Sequence, residues 1–349
     1  MHVNVEPILE PDLPIIDPHH LLWVVPEAVR RKMDPEANPF LFVRKGTPRY
    51  LLDELLADLN AGHNVVATVF VQCHSMYRAD GPAAMRPVGE VEFVNGVAAM
   101  SASGTFGPQR ACAGIVGQAD LRLGAAVEDV LLAEIAAGGG RFRGIRHVSQ
   151  DDPDPYYVRV GGNTGAGLLH DSAFREGFAR LAPLGLSFDA YLYEPQLPDL
   201  IDLARVFPET QIILDHTGTP LGMGGYAGSH AERFPIWAAR IRELAACDNV
   251  VVKLGGLGMP VCGFPSYRAS PSASSQQLAR EWGPYFETCI AAFGAGRCMF
   301  ESNFPTESGS CNYATLWNAF KRVTQNASAD EKALLYREVA ARVYRLELG

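Results

Sequence analysis

Short apolar runs recur along the chain, and each one ends in polar residues. The run at 65–71 is rich in β-branched residues and apolar on both faces, which is typical of a fully buried strand, and Gln72-Cys73-His74 follows it. The first run, Ile15-Ile16, leads into Asp17-Pro18-His19-His20 and predicts a buried strand with polar residues at its carboxyl end. The same pattern predicts six further strands, at 111–116, 142–145, 186–193, 211–214, 249–254 and 297–300.

Segments with helical spacing separate these strands. Between 49 and 60, leucines recur at intervals of three and four residues, with acidic residues between them. Eight strands alternating with helices predict an α/β fold, a parallel (β/α)8 TIM barrel. No linker-like change in composition divides the 349 residues, so we predict a single domain over 1–349. The remaining helices are predicted at 126–137, 172–184, 198–207, 233–246, 278–293, 313–322 and 329–344.

The segment 24–47, directly after the first strand, has little periodicity and several prolines. Loops longer than about 15 residues are commonly lids, binding loops or interface elements. We therefore predict that this segment is an inserted loop that forms a lid or a subunit interface.

Composition excludes several classes of function. Hydrophobic residues make up 48% of the chain and charged residues 20%, as in a soluble globular protein. The formal charge of -9, with no basic cluster denser than Arg30-Arg31-Lys32, argues against a nucleic-acid partner. No run reaches the roughly 18 apolar residues of a membrane span, and the first residues lack the order of a signal peptide. Seven cysteines without a CxxC pair favour buried, reduced thiols, so we predict a cytoplasmic protein.

The polar strand ends predict a metal site. In a barrel of this kind, the carboxyl ends of the strands form the active site. Asp17, His19, Glu194 and His216 would supply two imidazoles and one or two carboxylates for one divalent metal, Zn or Fe(II), whose bound water is the nucleophile. His216, followed by Thr217-Gly218 at the end of a buried strand, is the best single candidate, although a lone His at a strand end is also often structural.

A second group of strand-end residues predicts contacts with a small-molecule substrate. Gln72, His74, Arg146 and His147 would orient a substrate carboxylate or carbonyl, Arg146 through its bidentate guanidinium. The alternative for Arg146 is an ion pair with a neighbouring carboxylate. The runs 101–104 and 138–140 are turns and not phosphate loops, because neither has the spacing of a nucleotide-binding motif.

The chain resembles the amidohydrolase-related family, the amidohydrolase 2 branch that includes sugar-lactone and pyrone-dicarboxylate lactonases, over nearly its whole length. The resemblance implies a (β/α)8 barrel and metal-dependent hydrolysis. It rests on the motifs at 16–23 (IDPHHLLW), 77–82 (YRADGP), 143–146 (RGIR), 193–198 (YEPQLP), 214–218 (LDHTG) and 299–305 (MFESNFP).

Three positions depart from the family pattern. The first strand of the family carries His-x-His, and Leu21 stands at the second His. Glu194 stands where relatives often have a His, and Asn303 replaces the Asp that serves the superfamily as metal ligand and general base. Leu cannot bind a metal and Asn cannot accept a proton. The resemblance therefore implies a reduced site, mononuclear or metal-free, in which Glu307 is the nearest base, Glu301 the second choice, and Asn303 a substrate-binding residue.

Two functions fit these observations. The first is a hydrolase of a small carboxylated lactone, ester or amide, with Glu194, His216 and Glu307 as catalytic residues. The second is a degenerate subunit that pairs with a related barrel carrying the complete site, in a hydrolase or a dinuclear-metal oxygenase. Either predicts a homo- or hetero-oligomer. A third hypothesis is a small-molecule binding protein without turnover.

Overall fold

Eight parallel strands form one sheet in the order of the chain. The computed structural model describes residues 6–161 and 165–347. Each strand pairs with its neighbour in sequence, and nearly all strand residues are buried. The predicted (β/α)8 barrel is confirmed. The strands are β1 (Ile15–His20), β2 (Val65–Val71), β3 (Arg110–Gly117), β4 (Phe142–Ile145), β5 (Ser187–Ala190), β6 (Ile212–Leu214), β7 (Val250–Leu254) and β8 (Cys298–Phe300).

The barrel closes between β1 and the turn that follows β8. The backbone N–H of Asn303 donates to the carbonyl of His19 at 2.9 Å, and that of Leu21 donates to the carbonyl of Phe304 at 2.8 Å. His20 and Phe304 form a parallel bridge. This closure places the carboxyl ends of the first and last strands side by side, although the two strands lie near opposite ends of the sequence.

Helices connect the strands. The predicted helices are present with shifted ends, and helices at 88–102 and 155–161 are additional. The residues at 101–102, predicted to belong to a turn, instead end the helix at 88–102. The α-helices are Glu27–Arg30, Leu41–Gly46, Leu52–Leu59, Val88–Ala102, Val127–Ala137, Pro155–Gly161, Ser172–Phe178, Leu197–Val206, His230–Leu244, Ser275–Phe293, Tyr313–Val323, Ala329–Ala333 and Val339–Val343, with a π-helical stretch at Leu334–Glu338.

The segment 24–47 contains two short helices, and a small antiparallel ribbon brackets it. Trp23–Val24 pairs with Arg49–Tyr50, so the helix predicted from 49 begins only at Leu52. The segment contacts the loop after β7, where the Tyr267 hydroxyl donates to the carbonyl of Pro39 at 2.9 Å. Whether the segment moves as a lid or contacts another subunit remains a prediction.

The C-terminal helix closes the amino-terminal end of the barrel. Val339 and Tyr344 pack against the apolar side chains that fill the barrel interior, which come from six of the eight strands. The opposite, carboxyl end is therefore the open end and holds the polar residues. The interior residues are Ile16, Ala67, Val69, Val71, Val116, Ile213, Val251 and Met299.

All seven cysteines are buried, and none forms a disulfide within the described part of the chain. In residues 6–161 and 165–347, no helix has both the length and the apolar character needed to cross a bilayer.

Candidate active site at the carboxyl end of the barrel

A cavity of about 340 Å³ lies at the carboxyl ends of the strands. Five of the predicted site residues line it: Gln72, His74, Arg146, His216 and Asn303. The segment 24–47 contributes Phe40, Leu41, Val43 and Arg44 to the same cavity. The volume lies at the lower end of the roughly 300–1,000 Å³ of small-molecule sites.

A cluster of two imidazoles and one carboxylate lies at the barrel end. His19, His216 and Glu301 are all buried, and one ligand atom of each lies within 4.8 Å of the others. The Glu301 carboxylate stands between the two rings, with Oε2 2.7 Å from His19 Nδ1 and Oε1 2.7 Å from His216 Nδ1. Of the four predicted metal ligands, the structure brings His19 and His216 into this cluster, and the carboxylate comes from Glu301.

The protonation of His19 follows from its neighbours. Its Nε2 atom lies 3.1 Å from Nη1 of Arg146, and a guanidinium can only donate, so Nε2 carries no proton. Burial and then the charge of Lys253 hold the pKa of His19 well below its usual range. The ring is therefore neutral, with Arg146 Nη1 beside Nε2 and Lys253 Nζ 3.2 Å from Nδ1.

The backbone around His216 positions its ring. His216 has a φ of 56°, and both its backbone N–H and its Nδ1 contact Glu301 Oε1, at 3.0 and 2.7 Å. A Cβ at Gly256, which has a φ of 74°, would collide with the His216 side chain, so glycine is required there. Because Nδ1 is engaged, Nε2 is the ring nitrogen left for a metal or a substrate.

A buried lysine lies directly beneath the cluster. Lys253 Nζ lies 2.5 Å from Asp189 Oδ1, 3.0 Å from Asp215 Oδ1 and 3.2 Å from His19 Nδ1. Burial disfavours the ammonium, but Asp189 and Asp215 outweigh that effect and raise the pKa of Lys253. Lys253 lies in the strand predicted at 249–254, and no role was predicted for it. Its signal was a charged residue within a run that is otherwise apolar on both faces.

The donor set fits one divalent cation. Two imidazoles and a carboxylate are the ligands that Zn and Fe(II) accept. Glu301 Oε2 is buried and accepts no well-aligned hydrogen bond from the described residues, so it remains available as a ligand. A second cation next to Asp215 would have to displace the Lys253 ammonium, which lies 3.0 Å away. The geometry therefore suits a mononuclear site.

Asp17, a predicted metal ligand, uses both of its carboxylate oxygens in hydrogen bonds within the protein. Its Oδ1 accepts hydrogen bonds from the backbone N–H groups of Ser302 at 3.0 Å and His19 at 3.3 Å. Its Oδ2 accepts from the Tyr313 hydroxyl at 3.0 Å. Burial raises the pKa of Asp17 to about 6. These contacts tie β1 to the turn after β8, where the site lies.

Glu194, predicted both as ligand and as catalytic residue, lies outside the cluster. Its carboxylate pairs with Arg233, whose guanidinium lies 4.5 Å from the centre of the Tyr226 ring. Burial raises the pKa of Glu194, although Arg233 opposes the shift. The structure does not bring Glu194 to His19 and His216. Its predicted role in catalysis is untested, and the pair with Arg233 favours a structural role instead.

Glu307 lies behind Asn303. Its Oε1 accepts from the Asn303 amide at 3.1 Å, and its Oε2 accepts from the backbone N–H of Gly258 at 2.7 Å. Burial raises the pKa of Glu307 to about 8. Asn303 lines the cavity with a φ of 50°, a conformation that Asn tolerates better than most residues. In this geometry Glu307 orients the Asn303 amide, and its predicted role as a base is untested.

Of the remaining predicted substrate contacts, Gln72 and His74 line the cavity and His147 does not. The Gln72 amide donates to the carbonyl of Arg146 at 3.3 Å, and its Oε1 is buried without a partner among the described residues. His74 Nδ1 lies 3.1 Å from the Tyr77 hydroxyl. His147 does not line the cavity: its Nδ1 accepts from the backbone N–H of Leu121 at 3.3 Å, and its ring packs on Phe174.

The two possibilities for Arg146 are both visible in the site. Its Nη1 lies 3.4 Å from Asp215 Oδ2, which is the ion pair given as the alternative role. Its side chain also lines the cavity, as a substrate-binding residue would.

Comparison with known proteins places these features in a family. A model of the amidohydrolase family matches residues 16–346, from the second residue of β1 to beyond the last helix. The chain belongs to the amidohydrolase family. The predicted resemblance is confirmed over nearly the full length.

Three relatives illustrate the similarity of this amidohydrolase to known proteins. It is 33% identical to the uncharacterised protein y4mH of Sinorhizobium fredii over 96% of this chain and 99% of that one. It is 31% identical to L-fucono-1,5-lactonase of Burkholderia multivorans over 67% of this chain and 72% of that one. A crystal structure of an amidohydrolase from Burkholderia multivorans with bound zinc has a TM-score of 0.71 and 27% identity, covering 95% of this amidohydrolase and 99% of that chain.

Proposed function

We propose that this amidohydrolase hydrolyses a small carboxylated lactone, ester or amide, with a single divalent metal or none. The observation that carries the proposal is the buried cluster of His19, His216 and Glu301, of which His216 opens onto the cavity. The similarity to L-fucono-1,5-lactonase supports ring opening of a lactone as the reaction.

His216 would act on water. Its Nδ1 lies 2.7 Å from Glu301 Oε1 and directs its proton there, which leaves Nε2 unprotonated and able to accept a proton. A carboxylate that orients an imidazole in this way also stabilises the imidazolium that forms. Glu301 is thus the positioning residue and His216 the base that activates water for attack on the carbonyl carbon.

Donors on the cavity wall would stabilise the oxyanion of the tetrahedral intermediate. Arg146, Gln72 and Asn303 line the cavity and carry N–H groups, and the Arg146 charge lies within a buried environment where its field is strong. The proton taken by His216 would then pass to the leaving alkoxide, which completes ring opening.

His216 is the base in the chain without a metal. With a metal bound, His216 Nε2 would instead be a ligand, and the metal would supply a Lewis acid and a water molecule of lowered pKa. His19, His216 and Glu301 would hold it, and we propose Zn or Fe(II) because imidazole and carboxylate ligands suit both. The zinc-bound relative supports the choice of a divalent ion.

The hypothesis of a degenerate partner subunit remains a proposal. Asn303 has no carboxylate, and Glu301 supplies one beside the two imidazoles. This favours catalysis by the chain itself. The two hypotheses differ in the activity of the chain purified alone, which the partner hypothesis expects to be absent.

The test is hydrolysis of a panel of carboxylated lactones by the purified chain. The wild type should turn over at least one of them, and His216→Ala should lower the rate by about 10²- to 10⁴-fold. His170→Ala, an exposed histidine paired with Asp199, is the matched control and should retain full activity. Equal rates for wild type and His216→Ala would contradict the proposal.

A further inference from the structure

The wall of the cavity is electropositive. Among the described residues that line it there is no Asp or Glu, whereas Arg44 and Arg146 are both present. This contrasts with the formal charge of -9 for the whole chain. Burial lowers the pKa of His74 to about 4, and the charges of Arg146 and Arg44 add to that shift. An anionic group on a ligand would therefore be favoured in this cavity.

Arg146 is already engaged by the protein. Its Nη1 contacts His19 Nε2 at 3.1 Å and Asp215 Oδ2 at 3.4 Å, and its Nη2 donates to the carbonyl of Gln72. A bidentate contact with a carboxylate needs two neighbouring N–H groups of the guanidinium. Arg146 would have to give up buried hydrogen bonds to provide them.

Arg44 has N–H groups available for a ligand. Its Nη2 donates to the carbonyl of Cys73 at 3.0 Å, and its guanidinium stacks over the Trp23 ring, 4.8 Å from the centre. No other acceptor contacts this guanidinium within residues 6–161 and 165–347. Arg44 is half-buried and no carboxylate pairs with it, so its charge is not neutralised within the described part of the chain.

Hydrogen bonds fix the two groups that contact Arg44, the Trp23 ring and the backbone of Cys73. The Trp23 indole N–H donates to the carbonyl of Thr47 at 2.9 Å, at the other end of the segment. The Cys73 and Ser75 backbone N–H groups both donate to the buried carboxyl of Glu90, at 3.0 and 2.7 Å. Trp23 and the turn at 73–75 therefore hold the guanidinium in place before any ligand arrives, which reduces the entropy cost of binding.

We propose that Arg44 is the specificity-determining residue that binds the carboxylate of the substrate, so the segment 24–47 selects carboxylated over uncharged substrates. This inference rests on the proposed function for the identity of the cavity as the substrate site. The substrate would lie with its carboxylate at Arg44 and its reacting carbonyl towards His216 and Arg146.

The experiment measures binding of two ligands that do not react. The probes are 2-hydroxyglutarate, the ring-opened form of a carboxylated γ-lactone, and its C1 amide, which lacks one carboxylate. Calorimetry should show that the wild type prefers the dicarboxylate by about 10- to 100-fold, as expected for one charge-assisted contact. Arg44→Met should lose this preference while its affinity for the amide changes little, and Arg44→Lys should retain part of it.

Arg31→Met is the matched control, since Arg31 lies in the same segment, is exposed and pairs with Glu27 instead of lining the cavity. It should keep the wild-type preference. Equal affinity of the wild type for both probes, absence of binding, or an unchanged preference in Arg44→Met would overturn the inference. The experiment measures binding and not hydrolysis. A preference that depends on Arg44 would therefore support the inference even if the chain hydrolysed no lactone. Failure of the proposed function can thus be told apart from failure of this inference.

Discussion

Glu301 Oε1 lies 2.7 Å from His216 Nδ1 and also accepts the backbone N–H of His216 at 3.0 Å. The two residues are 85 positions apart in sequence. One carboxylate therefore sets both the backbone and the ring orientation of the residue that we propose as the base.

The first prediction concerns metal binding by Glu301→Gln. The substitution keeps the shape of the side chain but removes the negative charge that faces both imidazoles. Loss of a ligand or of its orienting partner typically weakens metal affinity by about 10- to 100-fold. Elemental analysis after dialysis against zinc should show about one ion per wild-type chain and much less in the variant. An unchanged zinc content in Glu301→Gln would place the metal elsewhere.

A second prediction concerns restoration of the family residue by Asn303→Asp. The Asn303 amide donates to Glu307 at 3.1 Å. Above pH 8, where Glu307 is ionised, an Asp at 303 would place two carboxylates against each other in a buried site. We expect a loss of roughly 1–3 kcal/mol in the free energy of unfolding, measured with denaturant.

The double variant Asn303→Asp/Glu307→Gln is the control for that experiment. Its Gln amide can donate to the new carboxylate, which should recover most of the stability. Strictly additive effects of the two substitutions would show that the two side chains do not interact.

The barrel was predictable because its strands are apolar on both faces, a pattern that needs no knowledge of distant contacts. His19 and His216 were identified because each ends a strand. The carboxylate was harder to assign, because Glu301 reaches the imidazoles only through closure of β8 against β1. Glu194 follows the strand predicted at 186–193, but Arg233, from a helix 39 positions later, pairs with it. Nothing in the local sequence of Glu194 indicates that partner.

A third prediction concerns pH. Burial raises the pKa of Glu307 from 4.5 to about 8, so the folded chain binds a proton more tightly than the unfolded chain between these values. The stability that this proton contributes is present at low pH and is lost as the pH rises through about 8. The free energy of unfolding should fall more steeply between pH 5 and pH 8 in the wild type than in Glu307→Gln, by up to roughly 1.4 kcal/mol per unit. Parallel curves would refute this assignment.

A fourth prediction concerns Lys253→Met. The substitution leaves Asp189 and Asp215 buried without their ammonium partner, which typically costs about 3–5 kcal/mol. Thermal and denaturant unfolding should both show the loss. Adding Asp189→Asn removes one of the two carboxylates that lose the ammonium and should restore part of the stability. A single variant as stable as the wild type would mean that the lysine is uncharged in the fold.

The most direct test of the account compares two buried carboxylates in one assay, hydrolysis of carboxylated lactones by the chain purified alone. Glu301→Gln removes the carboxylate that contacts both imidazoles, and Glu194→Gln removes the one that pairs with Arg233. The account predicts turnover by the wild type, a loss of about 10²-fold or more in Glu301→Gln, and nearly normal rates in Glu194→Gln. A wild type without activity, or Glu194→Gln impaired while Glu301→Gln is not, would contradict it.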